Sequence, residues 1–164
     1  METFTAVISS PLGHILLTAT EEQVTEIKFV GDALPLQAAT SPLLQVASSQ
    51  LREYFAGSRT EFSFPFGQEG TLFQQRVWAG LLDIPFGKTI SYKTMAIRLG
   101  DEKCIRAAGT ANGKNQLAIV VPCHRVVGAN GALVGYAGEL WRKQWLLEHE
   151  AKHSGLATQS ALFG

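Results

Sequence analysis

The chain has little cysteine and little proline. Two cysteines and six prolines in 164 residues argue against a disulfide framework and against collagen-like or disordered character, and point to free thiols in a reducing compartment. Net charge is absent as well, because fourteen basic and fourteen acidic side chains cancel. No run approaches the ~18 apolar residues of a membrane span. The opening Met1-Glu2-Thr3-Phe4-Thr5 lacks the basic and apolar segments of a secretory leader. The expectation is a cytoplasmic protein with no membrane partner. There is no internal repeat, no glycine-rich phosphate loop and no dinucleotide fingerprint. His14, His149 and His153 have no metal-ligand spacing to either cysteine. What is present is 46% apolar residues, enough core for one domain or two small ones.

The cancelled charge is unevenly spread. Residues 1–87 hold nine acidic side chains to four basic, whereas residues 88–125 hold seven basic (Lys88, Lys93, Arg98, Lys103, Arg106, Lys114, Arg125) to two acidic. A basic middle segment in a neutral chain reads either as a phosphate footprint or as an ordinary solvated surface.

The first thirty residues read as an antiparallel sheet. Thr3–Ser9, His14–Thr18 and Val24–Phe29 are β-branched and apolar, with turns at Ser10–Gly13 and Thr20–Gln23. Ser41-Pro42 starts a helix, Leu43 through Phe55 carries helical apolar spacing, and Gly57 ends it. Phe62, Phe64 and Phe66 alternate, and a boundary falls near Gly67–Gly70. Thr71 to Gln74 fits a capping box. Ser91 caps a helix over Tyr92–Leu99, and Asp101 caps another over Glu102–Asn112. Two short helices joined by a Gly-Asp turn form a helix-turn-helix signal. Leu117–Val121 reads as a strand, and Asn130-Gly131 between apolar runs reads as a hairpin, which makes the arrangement winged. Glu139–Glu150 reads as a last helix, followed by a frayed tail.

The residues with most to say about chemistry are Val121-Pro122-Cys123-His124-Arg125-Val126. Proline stops the strand just before the thiol, and the neighbouring histidine and arginine can favour its thiolate. Cys123 reads either as a small buried hydrophobe or as a nucleophile presented at a strand end. Cys104, inside the second short helix, reads as core. Glu150 follows Leu146 and Leu147 at helical spacing, so it is either solvated at a frayed end or buried with a partner, a histidine being the obvious one. Cys, His and Glu would then form nucleophile, base and orienter. His149 follows Trp141 and Trp145 at the same spacing and reads as packed.

With these residues in place, the chain resembles the O6-alkylguanine-DNA alkyltransferases, the methylated-DNA–protein-cysteine methyltransferases. The resemblance covers residues 71–150 closely and 1–66 more loosely. It rests on an ordered set: Phe73 to Trp78, Ile84-Pro85-Phe86-Gly87-Lys88-Thr89-Ile90-Ser91-Tyr92, Arg106-Ala107-Ala108-Gly109, Asn115, Ile119 to Val127, Gly135-Tyr136-Ala137-Gly138, and Trp145 to Glu150. It implies an α+β protein in two parts. Residues 1–68 would form a small ribonuclease H-like α/β domain with an antiparallel sheet. Residues 69–152 would form a mostly helical domain with a winged helix-turn-helix, and 153–164 a tail. It implies direct-reversal repair of double-stranded DNA containing alkylated guanine, and leaves O4-alkylthymine open as a second substrate. The alkyl group moves irreversibly from guanine O6 to Cys123, after base flipping from the minor groove. His124 takes the thiol proton through a water, Glu150 orients the imidazole, Asn115 supports the site, and Tyr92 protonates the leaving guanine. Arg106 enters the base stack, and Tyr92, Ala107, Ala108, Gly109 and Arg125 meet DNA. Val126, Tyr136, Ala137 and Gly138 line the substrate pocket. The resemblance implies no cofactor, no metal, and a monomer that can cluster on DNA.

The chain departs from the family pattern at Gln116, where many members have proline, and at Ala137, where some have serine. Glu139 stands where glycine often follows Gly138, and Asn112 replaces a larger apolar residue. The cysteine and histidine zinc ligands of some N-terminal domains are missing. Three other classes compete. A non-catalytic lesion-binding relative carries tryptophan at the cysteine position. A cysteine hydrolase needs an oxyanion hole that nothing marks. A winged-helix transcription factor leaves the Pro-Cys-His site unexplained.

Overall fold

The structure is a computed structural model that describes residues 2–163; within the last helix, side chains are described as far as Ser154. The chain divides into two compact units, Met1–Glu69 with Gln116–Val120, and Gly70–Asn115 with Val121–Gly164.

In the first unit β1 (Phe4–Ile8), β2 (His14–Ala19) and β3 (Val24–Gly31) form an antiparallel sheet in sequence order. Val7 pairs with Leu16 and Leu17 with Ile27. Period-2 alternation sets the register, because Ile15, Leu17 and Ala19 of β2 are buried while their neighbours are not. Helix α1 (Pro42–Phe55) starts where expected. Ser41 Oγ accepts from Leu44 N at 3.1 Å, a cap that stabilises by about 1 kcal/mol. Leu44, Ala47, Leu51 and Tyr54 form its buried stripe. The alternating phenylalanines make an edge-to-face series, Phe62 to Phe64 at 5.8 Å and Phe64 to Phe66 at 6.3 Å.

The expected strand over 117–121 is not formed. Leu117 makes one parallel bridge to Ile27, and the chain then closes a γ-turn, Val120 N to Ala118 O at 2.8 Å, around Ile119 at φ +72°. Positive φ is rare for a β-branched residue. The segment is apolar because it is buried, not because it is paired.

The second unit begins with α2 (Leu72–Leu82), closed by the Thr71/Gln74 capping box. Strand β4 (Ile90–Ser91) leads into α3 (Tyr92–Arg98), capped by Ser91 Oγ. A tight turn at Gly100 (φ +103°) and Asp101 leads through the 3-10 turn Glu102–Cys104 to α4 (Ile105–Gly113). Trp78 Nε1 donates to Ala111 O at 2.9 Å and ties α2 to α4. The two short helices of the helix-turn-helix are therefore present. Cys104 is half-buried rather than core, with Sγ 3.8 Å from Ala96 O.

The expected hairpin is replaced. Strand β5 (Val126–Val127) pairs parallel with β4, Ile90 with Val126 and Ser91 with Val127, and Ala129–Gly131 is a 3-10 turn with Asn130 at φ +58°. Asn-Gly adopts the positive φ its composition favours, but both valines are buried and committed to the β4 ladder. No wing hairpin forms among the described residues. The last helix, α5, spans Leu140–Phe163. Residues 151–154, expected to fray, are helical, and the expected tail lies from 155 onward outside the described side chains. No helix among the described residues is long and apolar enough to cross a membrane.

Candidate active site

Pro122 makes the local geometry. At φ −82°, ψ 65° it centres an inverse γ-turn, with Cys123 N donating to Val121 O at 2.8 Å. The chain then enters the 3-10 turn Cys123–Arg125. Successive side chains of such a turn are about a third of a revolution apart, so neighbours do not alternate as in a strand. Residues Val121 to Val127 are all buried.

His124 and Glu150 come together. His124 Nε2 lies 2.7 Å from Glu150 Oε2, with both side chains excluded from solvent. Arg125 grips the same carboxylate, Nε to Oε1 at 2.7 Å and Nη2 to Oε2 at 3.1 Å, and Nη1 donates to Ile84 O at 2.7 Å. Gly87 N reaches Oε1 at 3.4 Å. Burial alone would raise the Glu150 carboxyl, but His124 and Arg125 outweigh it and hold the group well below the usual carboxylate range. Burial pushes His124 down against the pull of Glu150. The imidazole is neutral beside an ionised carboxylate, so Nε2 carries the proton and Nδ1 the lone pair. Nδ1 is buried and has no partner among the described residues.

Burial also pushes the Cys123 thiol up, and the Asn115 side chain and the Lys143 ammonium only partly pull it back. This corrects the expectation that the adjacent histidine and arginine favour a resting thiolate. Histidine is neutral here, and the guanidinium is paired. Arg125, expected at the DNA surface, is likewise buried inward against Glu150. Ala108 is fully buried and Gly109 lies under the Tyr92 ring, whose nearest atom would be 3.8 Å from an added Cβ. Of the α4 residues expected at DNA, only Arg106 and Ala107 are exposed.

Asn115 Nδ2 donates to Val121 O at 2.8 Å, which fixes the amide beside the thiol. Asn112 Nδ2 reaches Cys123 O at 3.3 Å and Tyr92 Oη at 3.5 Å. Burial raises the Tyr92 phenol, so it is neutral and can donate. Tyr136 has a partly exposed ring and a buried hydroxyl, raised well above its ordinary value by burial and then by the Cys123 charge. Val126 is buried, Ala137 exposed and Gly138 half-buried.

Two residues of this site were missed by sequence reasoning. Asn112 was read only as a departure from pattern. Lys143 is fully buried, and its Nζ donates to Val126 O at 2.6 Å, Val134 O at 3.0 Å and Gly135 O at 3.2 Å. Its signal was available, since Lys143, Leu146 and Glu150 share one helical stripe. His149 stacks on Trp145 at 4.7 Å, as packed side chains do. Among the described residues no group of three or more His, Cys, Asp or Glu side chains can hold a metal ion.

A helix-turn-helix unit holding a thiol beside an imidazole–carboxylate pair defines a class: a nucleic-acid-binding architecture built around a cysteine centre. Known proteins narrow the class. Residues 72–152 match the family described as 6-O-methylguanine DNA methyltransferase, DNA binding domain, and residues 4–68 match its ribonuclease-like domain. The chain belongs to the 6-O-methylguanine DNA methyltransferase family. It is 44% identical over 155 residues to a methylated-DNA–protein-cysteine methyltransferase of Mycobacterium leprae, covering 92% of this chain and 93% of the relative. To one of Methanosarcina acetivorans it is 42% identical over 150 residues, covering 88% and 96%. The crystal structure of Mycobacterium tuberculosis O6-methylguanine methyltransferase superposes with a TM-score of 0.83 at 39% identity, covering 93% and 94% of the two chains. A complex of the Mycobacterium tuberculosis protein with DNA gives 0.83 at 41%, covering 91% and 93%.

Proposed function

We propose that the protein is a single-turnover DNA repair enzyme that moves the alkyl group of O6-alkylguanine in double-stranded DNA onto its own Cys123. The observation that carries this reading is the buried 2.7 Å contact of His124 Nε2 with Glu150, which leaves the lone pair of the next residue after the thiol free on Nδ1. A thiol held protonated by burial needs such a base at the moment of reaction. His124 takes the proton through a water. The sulfur attacks the alkyl carbon in line, the S–C bond forms, and the C–O6 bond breaks. The guanine leaves with its charge neutralised by a proton from Tyr92 at N3, and the proton held on the imidazolium restores the Tyr92 phenol. The net movement is one alkyl group to sulfur and one proton to guanine. A thioether has no activated bond for water, so the protein acts once, and the step uses no cofactor.

Access to a paired base requires extrusion from the duplex. Arg106 and Ala107 on the exposed side of α4 support a minor-groove approach, with Arg106 filling the vacated stack. Tyr136, Ala137, Gly138 and Val126 would border the extruded base. The reading extends to action as a monomer that can cluster on DNA, to O4-alkylthymine as a further substrate, and to the cytoplasm as the site of action.

Intact-protein mass after mixing with excess duplex carrying one O6-methylguanine tests it. The expected result is a gain of one methyl group per molecule at most, absent in Cys123→Ser. Tight lesion binding with no mass gain would replace transfer by recognition alone.

A further inference from the structure

The turn Tyr136–Glu139 is fastened to the start of α5 by a cluster that the transfer chemistry does not use. Glu139 stands at φ +77°, a backbone region that a residue with a side chain occupies only when its surroundings hold it there. Its N–H donates to Tyr136 O at 3.0 Å and closes the turn. Its carbonyl accepts from Arg142 N at 3.2 Å and Lys143 N at 3.3 Å and so begins the helix. Its carboxylate accepts from Trp141 Nε1 at 2.9 Å. Arg142 Nη1 donates to Gly138 O at 3.0 Å, and its guanidinium lies 4.6 Å over the Trp141 ring. Trp141 is 50% exposed, so this indole is held on the surface by its partners rather than by a core.

The segment Val134–Glu139 is therefore a strap fastened at both ends. Lys143 holds the carbonyls of Val134 and Gly135 from inside. The Glu139–Trp141–Arg142 cluster holds the other end from outside. Tyr136 lies between, its hydroxyl buried, and the same Lys143 Nζ donates to Val126 O at 2.6 Å, which ties the strap to the residue that ends the Cys123–Arg125 turn. A wall pinned at both ends yields little to a larger group.

We propose that Glu139 and Trp141 are specificity-determining positioning residues: they latch the strap and so limit the bulk of the group that reaches Cys123. The proposal rests on the reading of Cys123 as the alkyl acceptor. Releasing the outer fastening leaves Lys143 and the His124–Glu150 pair in place, so transfer of a small group persists while a bulky group gains room.

The test uses two duplexes of one sequence, carrying O6-methylguanine or O6-benzylguanine, with second-order rates read from intact mass. In Glu139→Gly and Trp141→Phe the benzyl-to-methyl rate ratio rises roughly tenfold, the scale of a small change in pocket room. Glu139→Gln, which keeps an oxygen for the indole N–H, stays at the native ratio. Trp141→Phe keeps an aromatic face under Arg142 and removes the N–H donor, so it guards against a folding failure of the glycine variant. An unchanged ratio in both variants, or an equal fall of both rates, overturns the latch while leaving Cys123 chemistry standing. A native protein that takes up no methyl overturns the reading of Cys123, and the latch with it.

Discussion

The helix-turn-helix unit turns its charges in two directions. On the outer side of α4, Arg106 stands in solvent, with Lys103 and Lys114 exposed near its two ends. Around the inner stripe of α5, Lys143, Glu150 and the facing Arg125 are all buried. The outward cations keep their hydration and remain available to phosphate. The inward ones each have fixed partners, and they are compensated differently. Arg125 and Glu150 neutralise each other through two short bonds. Lys143 donates to three carbonyls and lies 5.8 Å over the Tyr92 ring, so dipoles and a ring face compensate it, and its charge pulls the Cys123 thiol down. One end of the stripe is electrically closed, and the other acts on the Cys123 thiol.

The largest effect separating these regions is expected at Glu150. Glu150→Ala leaves Arg125 buried without its counter-charge and His124 without the group that sets its tautomer. Unfolding stability should fall by about 3–5 kcal/mol, and alkyl transfer should be lost. Chemical denaturation at neutral pH measures the first and intact mass the second. A loss below about 1 kcal/mol would mean that the inner carboxylate is not the anchor described. The same pair gives a pH signature. Glu150 is lowered from its ordinary 4.5 in the folded protein, so its contribution is complete above that value and drains as acid protonates the folded state. His124 is lowered from 6.5, so below that pH the unfolded chain binds the proton more readily. Both trends lower stability on the acid side. Replacing Glu150 by glutamine should flatten the acid limb of the stability-versus-pH curve.

Lys143→Met is the intermediate case. The buried Val126 carbonyl and the part-buried carbonyls of Val134 and Gly135 lose their donor, at a cost of about 1–3 kcal/mol. The pH–rate profile of transfer should also move to higher pH, because thiol ionisation loses its nearby cation. A stability loss with an unmoved profile would make Lys143 a tether only. The smallest effect on the fold is expected outside. Arg106→Ala should leave the melting temperature unchanged, slow repair in duplex DNA roughly tenfold, and leave the reaction with free O6-benzylguanine at its native rate. Equal slowing of both would remove Arg106 from the base stack.

These differences explain what could be read from residues alone. Strands β1 to β3 and helix α1 were legible because alternation, a Ser-Pro start and a helical stripe all gave one answer. The Thr71/Gln74 cap was legible for the same local reason. Cys123, His124 and Glu150 stood out as residue types in context, yet their spacing did not show that Arg125 would turn inward, because formal charge carries no direction. The run Leu117–Val121 misled because burial and strand pairing leave the same apolar trace over five residues. The valines before Asn130-Gly131 misled likewise, since their partner is Ile90–Ser91, far away in sequence. Lys143 was passed over because lysine is assumed to be solvated, although its place three residues before Leu146 put it on a buried face.

Gln116–Val120 belongs to the sheet-bearing unit although it lies late in the chain. Ile27 N waits for Gln116 O, and Ile27 O for Ala118 N. During synthesis, β3 is therefore made long before its last partner exists. The first unit reaches its complete hydrogen-bonded form only after α2, α3 and α4 have been translated, and the next residues to appear are Val121, Pro122 and Cys123. Pairing across such a separation is slow to form. Cys123 is therefore made just after the segment that lets the earlier half of the protein close.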